Sequence, residues 1–336
     1  MKIADLFFRT ILMFSFLTGI VSFSANPVKK IIVAQDGSGD FKTVQQAVNA
    51  ADDNLSSKTK IFVKKGIYRE KITVSETKGA ISLEGENAEK TIIVYDDFAS
   101  KKNAEGQEMG TKNTATFFVF SDNFSAKNIT FQNDAGRVGQ AVAVLVSGDK
   151  IVFENCRFLG FQDTLYLKGE HDIPCPTRKI RNYFKNCYIE GTTDFIFGAS
   201  TAVFENCTIF AKEKATYLTA ASTPENVKFG FVFINCKIKG EADKQSVYLG
   251  RPWRVFAKTV FINCEIDNII KPEGWHNWKK PDAEKTAFYA EYNSKGIGAN
   301  PDKRVNWSHQ LTKKEAKEYS PKNILSGKDN WNFKIK

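Results

Sequence analysis

One short phrase recurs along the middle of the chain and constrains its fold more than any other feature. It places Phe, a variable residue, Asn and Cys in succession, with an apolar residue two places after each Cys. The copies occupy residues 153–156, 184–187, 204–207, 233–236 and 261–264. A period of about 20 to 31 residues, built of short strand-like apolar segments, is typical of a solenoid in which each repeat forms one coil.

A sixth copy, at residues 131–134, has Asp in place of Cys. Stacked β coils bring equivalent residues to about 4.8 Å from each other. The 28 Phe are therefore predicted to form an internal aromatic ladder, with the cysteines as a buried column beside it. This spacing overlaps the Cα separation of disulfides, so the short coil between Cys187 and Cys207 leaves two outcomes open, a bridge or two free thiols. Cys175 lies in a Pro-containing insertion and has no evident partner.

The two ends of the chain differ from the repeats. Residues 1–24 combine Lys2 and Arg9 with an apolar run from 11 to 23 and small residues around Ser24. This is typical of a secretory signal peptide, and the run is too short to span ~30 Å of hydrocarbon as a membrane anchor would. Residues 25–336 contain no linker and are predicted to form one domain. Capping-box patterns at residues 43–46 and 312–315 predict short helices that cap the solenoid.

Charge and histidine content narrow the function classes. The chain has 48 Lys and Arg against 38 Asp and Glu, a net charge of +10, which falls by one when residues 1–24 are removed. This favours an acidic partner, either nucleic acid, a membrane surface or an anionic polysaccharide. The only histidines are His171, His276 and His309, so a metal centre built on several His is disfavoured. No cofactor or metal is predicted.

The repeat also predicts which polar residues lie next to each other on adjacent coils. Residues that follow the Asn of each copy at the same distance should lie above one another. Seven places on, successive copies have Gln140 and Gln162; eight places on, the next pair has Asp163 and Asp194. Two close carboxylates disfavour double ionisation, so one keeps its proton, while the amides can donate to an oxyanion. The set suits acyl transfer, but spacing alone favours the alternative, a purely structural polar column.

Six phrases in the chain allow a family comparison: DGSGDFKTVQ at 36–45, GIYRE at 66–70, GFQDTLY at 160–166, GTTDFIFG at 191–198, LGRPW at 249–253 and AEYNS at 290–294. With these phrases in order, the sequence resembles the pectin methylesterases of carbohydrate esterase family 8 along nearly the whole of residues 25–336. The resemblance implies an all-β, right-handed parallel β-helix with short capping helices. It also implies hydrolysis of the methyl esters of polygalacturonate (pectin, or methylesterified homogalacturonan) to pectate and methanol. The signal peptide predicts a secreted or periplasmic protein, and we expect a monomer.

The resemblance assigns roles to five residues. Asp194 would be the nucleophile, Asp163 the acid and then the base, and Gln140 and Gln162 the oxyanion site. Arg251 would orient Asp194. The phrase before Gln140 is one residue shorter than is usual in the family and lacks a His before the Gln. Substrate contacts would come from Thr111, Gln140, Phe161, Phe195, Arg251, Trp253 and Trp275.

Several alternatives remain open at this point. Phe195 could serve strand packing, Trp275 could be a packed loop aromatic, and Trp278 is expected to be one. The chain could be a thioesterase-like member of the family, or a non-catalytic solenoid that only binds acidic glycan. Lyase or polygalacturonase chemistry is disfavoured because no Ca²⁺-type Asp cluster and no Gly-His-Gly phrase occur. Nucleic-acid binding is disfavoured because the positive charge is dispersed.

Overall fold

Short strands with inward-facing apolar residues make up most of the chain. The computed structural model describes residues 28–169 and 179–333, so the predicted signal peptide, His171 and Cys175 lie outside the described residues. The helices are α1 Val44–Ala50, α2 Ala283–Thr286, α3 Lys313–Ala316 and α4 Pro321–Leu325. The strands are β1 Lys29–Val33, β2 Lys58–Val63, β3 Gly66–Arg69, β4 Ile72–Val74, β5 Ala80–Gly85, β6 Thr91–Tyr95, β7 Phe117–Val119, β8 Ser125–Lys127, β9 Thr130–Asn133, β10 Val144–Val146, β11 Ile151–Glu154, β12 Arg157–Leu159, β13 Leu165–Leu167, β14 Arg181–Lys185, β15 Tyr188–Gly191, β16 Thr193–Gly198, β17 Thr201–Glu205, β18 Thr208–Ala211, β19 Tyr217–Ala221, β20 Phe231–Ile234, β21 Lys237–Gly240, β22 Tyr248–Gly250, β23 Lys258–Ile262, β24 Glu265–Ile266, β25 Phe288–Tyr292 and β26 His309–Gln310.

The strands form three sheets that run the length of the molecule. Successive strands along the chain belong to different sheets. After about three strands the chain comes back to the same sheet, where the new strand pairs in parallel with the strand added one coil earlier. An 11-stranded sheet runs β1-β2-β5-β8-β11-β14-β17-β20-β23-β25-β26, an 8-stranded sheet runs from β3 to β24, and a 7-stranded sheet runs from β4 to β22. Each coil thus gives one strand to each sheet, and the predicted parallel β-helix is confirmed.

The predicted aromatic ladder lies inside the coils. Five Phe side chains stack with their rings nearly parallel, at successive centroid distances of 5.1, 4.7, 4.5 and 4.5 Å. All are fully buried, since in-register pairing of the 11-stranded sheet superimposes them. They are Phe153, Phe184, Phe204, Phe233 and Phe261.

An asparagine marks the bend that follows each of these Phe residues. Asn155, and the equivalent Asn of the next four coils, adopt left-handed backbone conformations with φ between 52° and 55°. Asn tolerates this conformation better than most residues do. On the preceding coil, however, the equivalent residue is Asn128 (φ 57°), whose side chain accepts a hydrogen bond from Asn155. Asn133 lies at another position of its coil and not at this bend. The prediction that residues 131–134 are a sixth equivalent copy of the phrase is therefore wrong.

Of the two outcomes left open for Cys187 and Cys207, the disulfide bridge is not formed. Both are buried free thiols, and the backbone N–H of Cys187 lies 3.4 Å from the Cys207 sulfur as a hydrogen-bond donor. The physical reason is the register itself: side chains of stacked strands point the same way, about 4.8 Å apart, whereas a disulfide needs Cβ atoms about 3.8 Å apart. Cys187 and Cys207 instead belong to a column of five buried free thiols, so the second outcome, two free thiols, is confirmed.

The two ends carry the predicted caps. Thr43 accepts a hydrogen bond from the Gln46 N–H at the start of α1, and Thr312 and Glu315 form a reciprocal capping box at α3. Beyond α4, the chain packs on the outer face of the 11-stranded sheet. Arg181 holds this segment by pairing with Asp329 at 2.7 Å.

Candidate active site

Gln140 and Gln162 lie side by side on adjacent coils. The two residues form a parallel β-bridge, and the N–H of Ala141 donates to the carbonyl of Gln162 at 3.1 Å. The predicted adjacency is therefore present. It holds although Gln140 follows the Asn of its coil, Asn128, by more residues than Gln162 follows Asn155. Among the described residues, neither side-chain amide has a hydrogen-bond partner. Gln140 is exposed and Gln162 half-buried, so both amides remain available to a ligand.

Asp163 and Asp194 also occupy equivalent positions on adjacent coils. Leu165 pairs with Ile196, which places the two Asp residues in register two positions earlier. Both have left-handed backbones, with φ of 66° and 50°, and both are buried, with 8% and 6% exposed. The register to the next strand shifts between Thr193 and Ile196, so Asp194 lies in a β-bulge. Such bulges re-aim a side chain at the surface of a sheet.

Arg251 follows strand β22 and grips Asp194 with two hydrogen bonds. Its Nε donates to Oδ1 at 2.9 Å and its Nη2 to Oδ2 at 2.7 Å, in a bidentate geometry suited to carboxylates. Close strand approach makes this possible, because a Cβ at Gly250 would lie 2.2 Å from the Thr219 hydroxyl. A larger residue there would clash with Thr219 unless one of the two strands shifted.

Burial and charge separate the two carboxyl groups. Desolvation and, secondarily, the negative charge of Asp194 raise the pKa of Asp163 well above its ordinary value. Desolvation also raises the pKa of Asp194, but the hydrogen bonds and charge of Arg251 oppose that rise. These surroundings favour the proton on Asp163 and the negative charge on Asp194. One acid and one anion beside two free amides suit acyl transfer at an ester.

Aromatic residues surround this cluster. Trp253 is half-buried against Tyr166 and Phe197, with ring centroids 6.2 and 5.9 Å away. The half-buried Phe161 lies under Lys212, whose Nζ is 4.0 Å from the ring centroid. Partly exposed rings of this kind can pack against the apolar faces of a sugar.

Comparison with known proteins decides the family. A sequence profile described as Pectinesterase matches residues 30–328. The chain belongs to the pectinesterase family. It is similar to Pectinesterase QRT1 of Arabidopsis thaliana, with 40% identity over 92% of this chain and 80% of the relative, and to Pectinesterase 31 of the same plant, with 38% identity over 86% and 89%. Other relatives are longer: the chain spans about half (48%) of Probable pectinesterase/pectinesterase inhibitor 13 from Arabidopsis thaliana.

Solved structures give the same family. A pectin methylesterase from carrot superimposes with a TM-score of 0.79 at 35% identity, covering 91% of this chain and 96% of the carrot chain. A pectin methylesterase in complex with a hexasaccharide has a TM-score of 0.79 at 29% identity, covering 92% and 100%. As a member of the pectinesterase family, the chain is a carboxylic ester hydrolase.

Two residues of this pectinesterase family member that were expected to contact substrate are buried, in keeping with the packing alternative left open for each. Trp275 is 1% exposed and stacks on Tyr289 inside the coils at 4.3 Å, because its bridge to Gly250 turns the side chain inward. Phe195 is completely buried in the same core, next to the bulge at Asp194. Both side chains therefore pack inside the coils beneath the site.

Trp278, which the sequence placed among packing residues, lies at the site instead. Its indole is half-buried, and the guanidinium carbon of Arg251 is 3.7 Å from the ring centroid. Trp278 and Lys279 both have φ of 55°, so the chain reverses after Trp275 and brings Trp278 outside the coils. No spacing rule in the sequence signals two consecutive left-handed residues other than Gly or Asn.

Thr111 begins a 3-10 turn, Thr111–Asn113, in the loop that precedes β7. The loop is tied to the Gln140 coil, since the N–H of Ala99 donates to the Gln140 carbonyl at 2.9 Å and the Gly110 N–H donates to the Ala99 carbonyl. Thr111 follows Gly110 directly and is half-buried.

In residues 28–169 and 179–333, no three His, Cys, Asp or Glu side chains are grouped to hold a metal ion. Over the same ranges, no helix has the length and apolarity needed to cross a membrane.

Proposed function

We propose that this chain hydrolyses the methyl esters of polygalacturonate, releasing methanol and leaving pectate. The observation that carries the proposal is the asymmetry of the carboxylate pair: Arg251 grips Asp194, while Asp163 is buried beside it with a raised pKa. The comparisons support the substrate class, since the similar structures are pectin methylesterases and one of them holds a hexasaccharide.

In the first half-reaction, a carboxylate oxygen of Asp194 attacks the C6 carbonyl of a methylated galacturonate. The amides of Gln140 and Gln162 donate hydrogen bonds to the oxyanion that forms, a contribution of about 3 kcal/mol per donor in comparable sites. The C6–methoxy bond then breaks, and Asp163 gives its proton to the departing oxygen. Methanol leaves, and Asp194 is bonded to C6 as a mixed anhydride.

In the second half-reaction, Asp163 is ionised and acts as a base. It takes a proton from a water molecule whose oxygen attacks C6, and the same two amides support the second oxyanion. The bond from C6 to Asp194 breaks, which restores the Asp194 carboxylate and the proton on Asp163. The product is a galacturonic acid, which releases its proton to solvent. Arg251 keeps Asp194 a stable leaving group throughout.

The remaining parts of the proposal rest on sequence. Residues 1–24 act as a signal peptide, residues 25–336 form the catalytic domain, and the protein works outside the cytoplasm as a monomer. The net charge of +10 matches a polyanionic substrate and product. Thr111, Phe161 and Trp253 are proposed to contact the sugar chain.

Methanol release tests the substrate class. The protein is incubated with pectins of high, intermediate and no methylesterification, and with an acyl thioester as a competing substrate. We expect methanol in proportion to the ester content, no thioester hydrolysis, and loss of methanol release in Asp194→Ala. Thioester hydrolysis alone, or binding of pectin without methanol, would overturn the proposal.

A further inference from the structure

The guanidinium group of Arg251 lies between two aromatic rings. Its Cζ atom is 3.9 Å from the ring centroid of Tyr217 and 3.7 Å from that of Trp278. Distances this short place the cation over the face of each ring rather than at an edge. Two rings can approach one planar group so closely only from opposite sides. The edge of the guanidinium that remains free is the one that binds Asp194.

Each ring is held in turn by its own neighbours. Tyr217 pairs in register with Tyr248 on the next coil, and their rings stack at 5.4 Å with an interplanar angle of 11°. On the other side, the backbone N–H of Trp278 donates to Nδ1 of His276 at 3.1 Å. Lys280 anchors the same loop by donating to the carbonyl of Trp253 at 2.9 Å. The two rings are thus fixed before any substrate binds.

The two rings restrict the conformational freedom of the Arg251 side chain. An arginine side chain has several rotatable bonds, and only one orientation of its plane allows Nε and Nη2 to reach both oxygens of one carboxylate. The Arg251 side chain is 18% exposed and would otherwise exchange this contact for water. Rings on both faces exclude that water and select the plane, and they add favourable interactions that are stronger when the cation is desolvated.

We propose that Tyr217 and Trp278 are positioning residues that hold the guanidinium plane of Arg251 and so keep Asp194 ionised and aimed at the ester. This inference rests on the proposed function, since it assumes that Asp194 is the nucleophile. It differs from a role for Trp278 as a sugar platform. Trp278 is engaged by two cations of the protein, with Lys280 Nζ 4.6 Å from its ring in addition to Arg251.

The two roles predict different kinetics. Loss of a sugar platform weakens binding, so KM rises while kcat and its pH dependence stay unchanged. Loss of the clamp loosens the contact between Arg251 and Asp194, so the pKa of Asp194 rises and fewer enzyme molecules hold it ionised. In that case kcat falls and its acidic limb moves to higher pH, with little change in KM.

The experiment measures kcat, KM and the pH profile of methanol release for Tyr217→Leu and Trp278→Leu, with Tyr217→Phe and Trp278→Phe as ring-retaining variants. We expect about a tenfold loss of kcat in the Leu variants and an acidic limb about half a pH unit or more higher. The Phe variants should stay within about twofold of wild type. As a matched control, Trp331→Leu removes a ring that faces Arg181 at 5.4 Å, away from the site, and should leave both unchanged.

A double-mutant cycle completes the test. If Trp278 acts through Arg251, then Trp278→Leu should have little further effect on kcat in an Arg251→Gln background. Full additivity, or a change in KM alone, would overturn the clamp; if the Leu variants fail to fold, unchanged kinetics in Tyr217→Ile with a native melting temperature would do the same. Asp194→Asn is assayed in parallel. If it is inactive while the clamp variants behave as wild type, only the clamp is refuted; if it is active, the proposed function itself fails.

Discussion

Asp163 and Asp194 occupy equivalent positions on adjacent coils, yet Arg251 forms its ion pair with Asp194. Stacked coils produce pairs of like residues with like surroundings, and a symmetric pair would share its proton without preference. The arginine breaks that symmetry. It lowers the proton affinity of one carboxylate and leaves burial to raise that of the other, so the two groups can take different roles in one reaction.

Asp163→Asn tests the role of the acid. The substitution keeps the size of the side chain but removes the proton that departing methanol needs and the base that activates water. We expect kcat for methanol release to fall by about 10² to 10⁴. The matched control is Asp302→Asn, an exposed carboxylate at Pro301–Lys303, which should behave as wild type. Retention of more than a tenth of the activity in Asp163→Asn would contradict its assignment.

The pH dependence follows from the same pair. Activity needs Asp194 ionised and Asp163 protonated, so kcat/KM should rise with pH as the pair loses its first proton and fall as it loses the second. Since burial raises the pKa of Asp163 well above its ordinary value, the alkaline limb lies well above pH 3.8.

Arg251→Gln removes the main group that opposes the rise in the pKa of Asp194, while the weaker opposing charge of Lys280 remains. The acidic limb should therefore move to higher pH, by about one unit or more, as expected for loss of an adjacent positive charge. The measurement is kcat/KM across the pH range for both proteins. An acidic limb that stays in place would show that Arg251 does not set the ionisation of Asp194.

Gln140 and Gln162 should act on the transition state more than on substrate binding. Replacing either with Ala is expected to lower kcat by about 10² to 10³, as removal of an oxyanion donor does elsewhere, with a much smaller change in KM. Gln310→Ala alters an exposed amide far from the site and serves as the control. If KM rises in place of the loss of kcat, the amides bind the sugar chain and not the oxyanion.

The cysteine column has a consequence for stability. Because Cys187 and Cys207 are free thiols, a reductant should shift the melting temperature of wild type and of Cys187→Ala by the same amount. A native disulfide would instead contribute about 2 to 4 kcal/mol, and its reduction would lower the melting temperature of wild type alone. Thermal unfolding with and without reductant distinguishes the two cases.

Much of the fold and of the site could be predicted because parallel in-register stacking turns a sequence offset into a position in space. Asp163 and Asp194 each follow the Asn of their coil, Asn155 or Asn186, by eight residues, with no insertion between that Asn and the Asp. The prediction is wrong at Asn133, because the Asn at the bend of that coil is Asn128. Gln140 follows Asn128 by more residues than Gln162 follows Asn155, yet the bridge between Gln140 and Gln162 restores the register.

Trp275 and Trp278 show that the sequence offset from a repeat does not predict which way a side chain faces. Whether an aromatic side chain faces the core or the groove depends on the backbone angles of a few residues. The bridge from Trp275 to Gly250 turns one indole inward, and the left-handed pair at Trp278 and Lys279 turns the other outward. A bulge likewise separates Asp194, which faces the site, from its buried neighbour Phe195. These local reversals follow from tertiary contacts and have no periodic signal.

The central claim is that Asp194 attacks the ester, and one measurement tests it most directly. Methanol release from highly methylesterified pectin is compared between wild type and Asp194→Asn, which keeps the shape of the side chain and can still contact Arg251. For Asp194→Asn we expect a loss of at least about a thousandfold in kcat, with the melting temperature close to that of wild type. Methanol release within tenfold of wild type would contradict it.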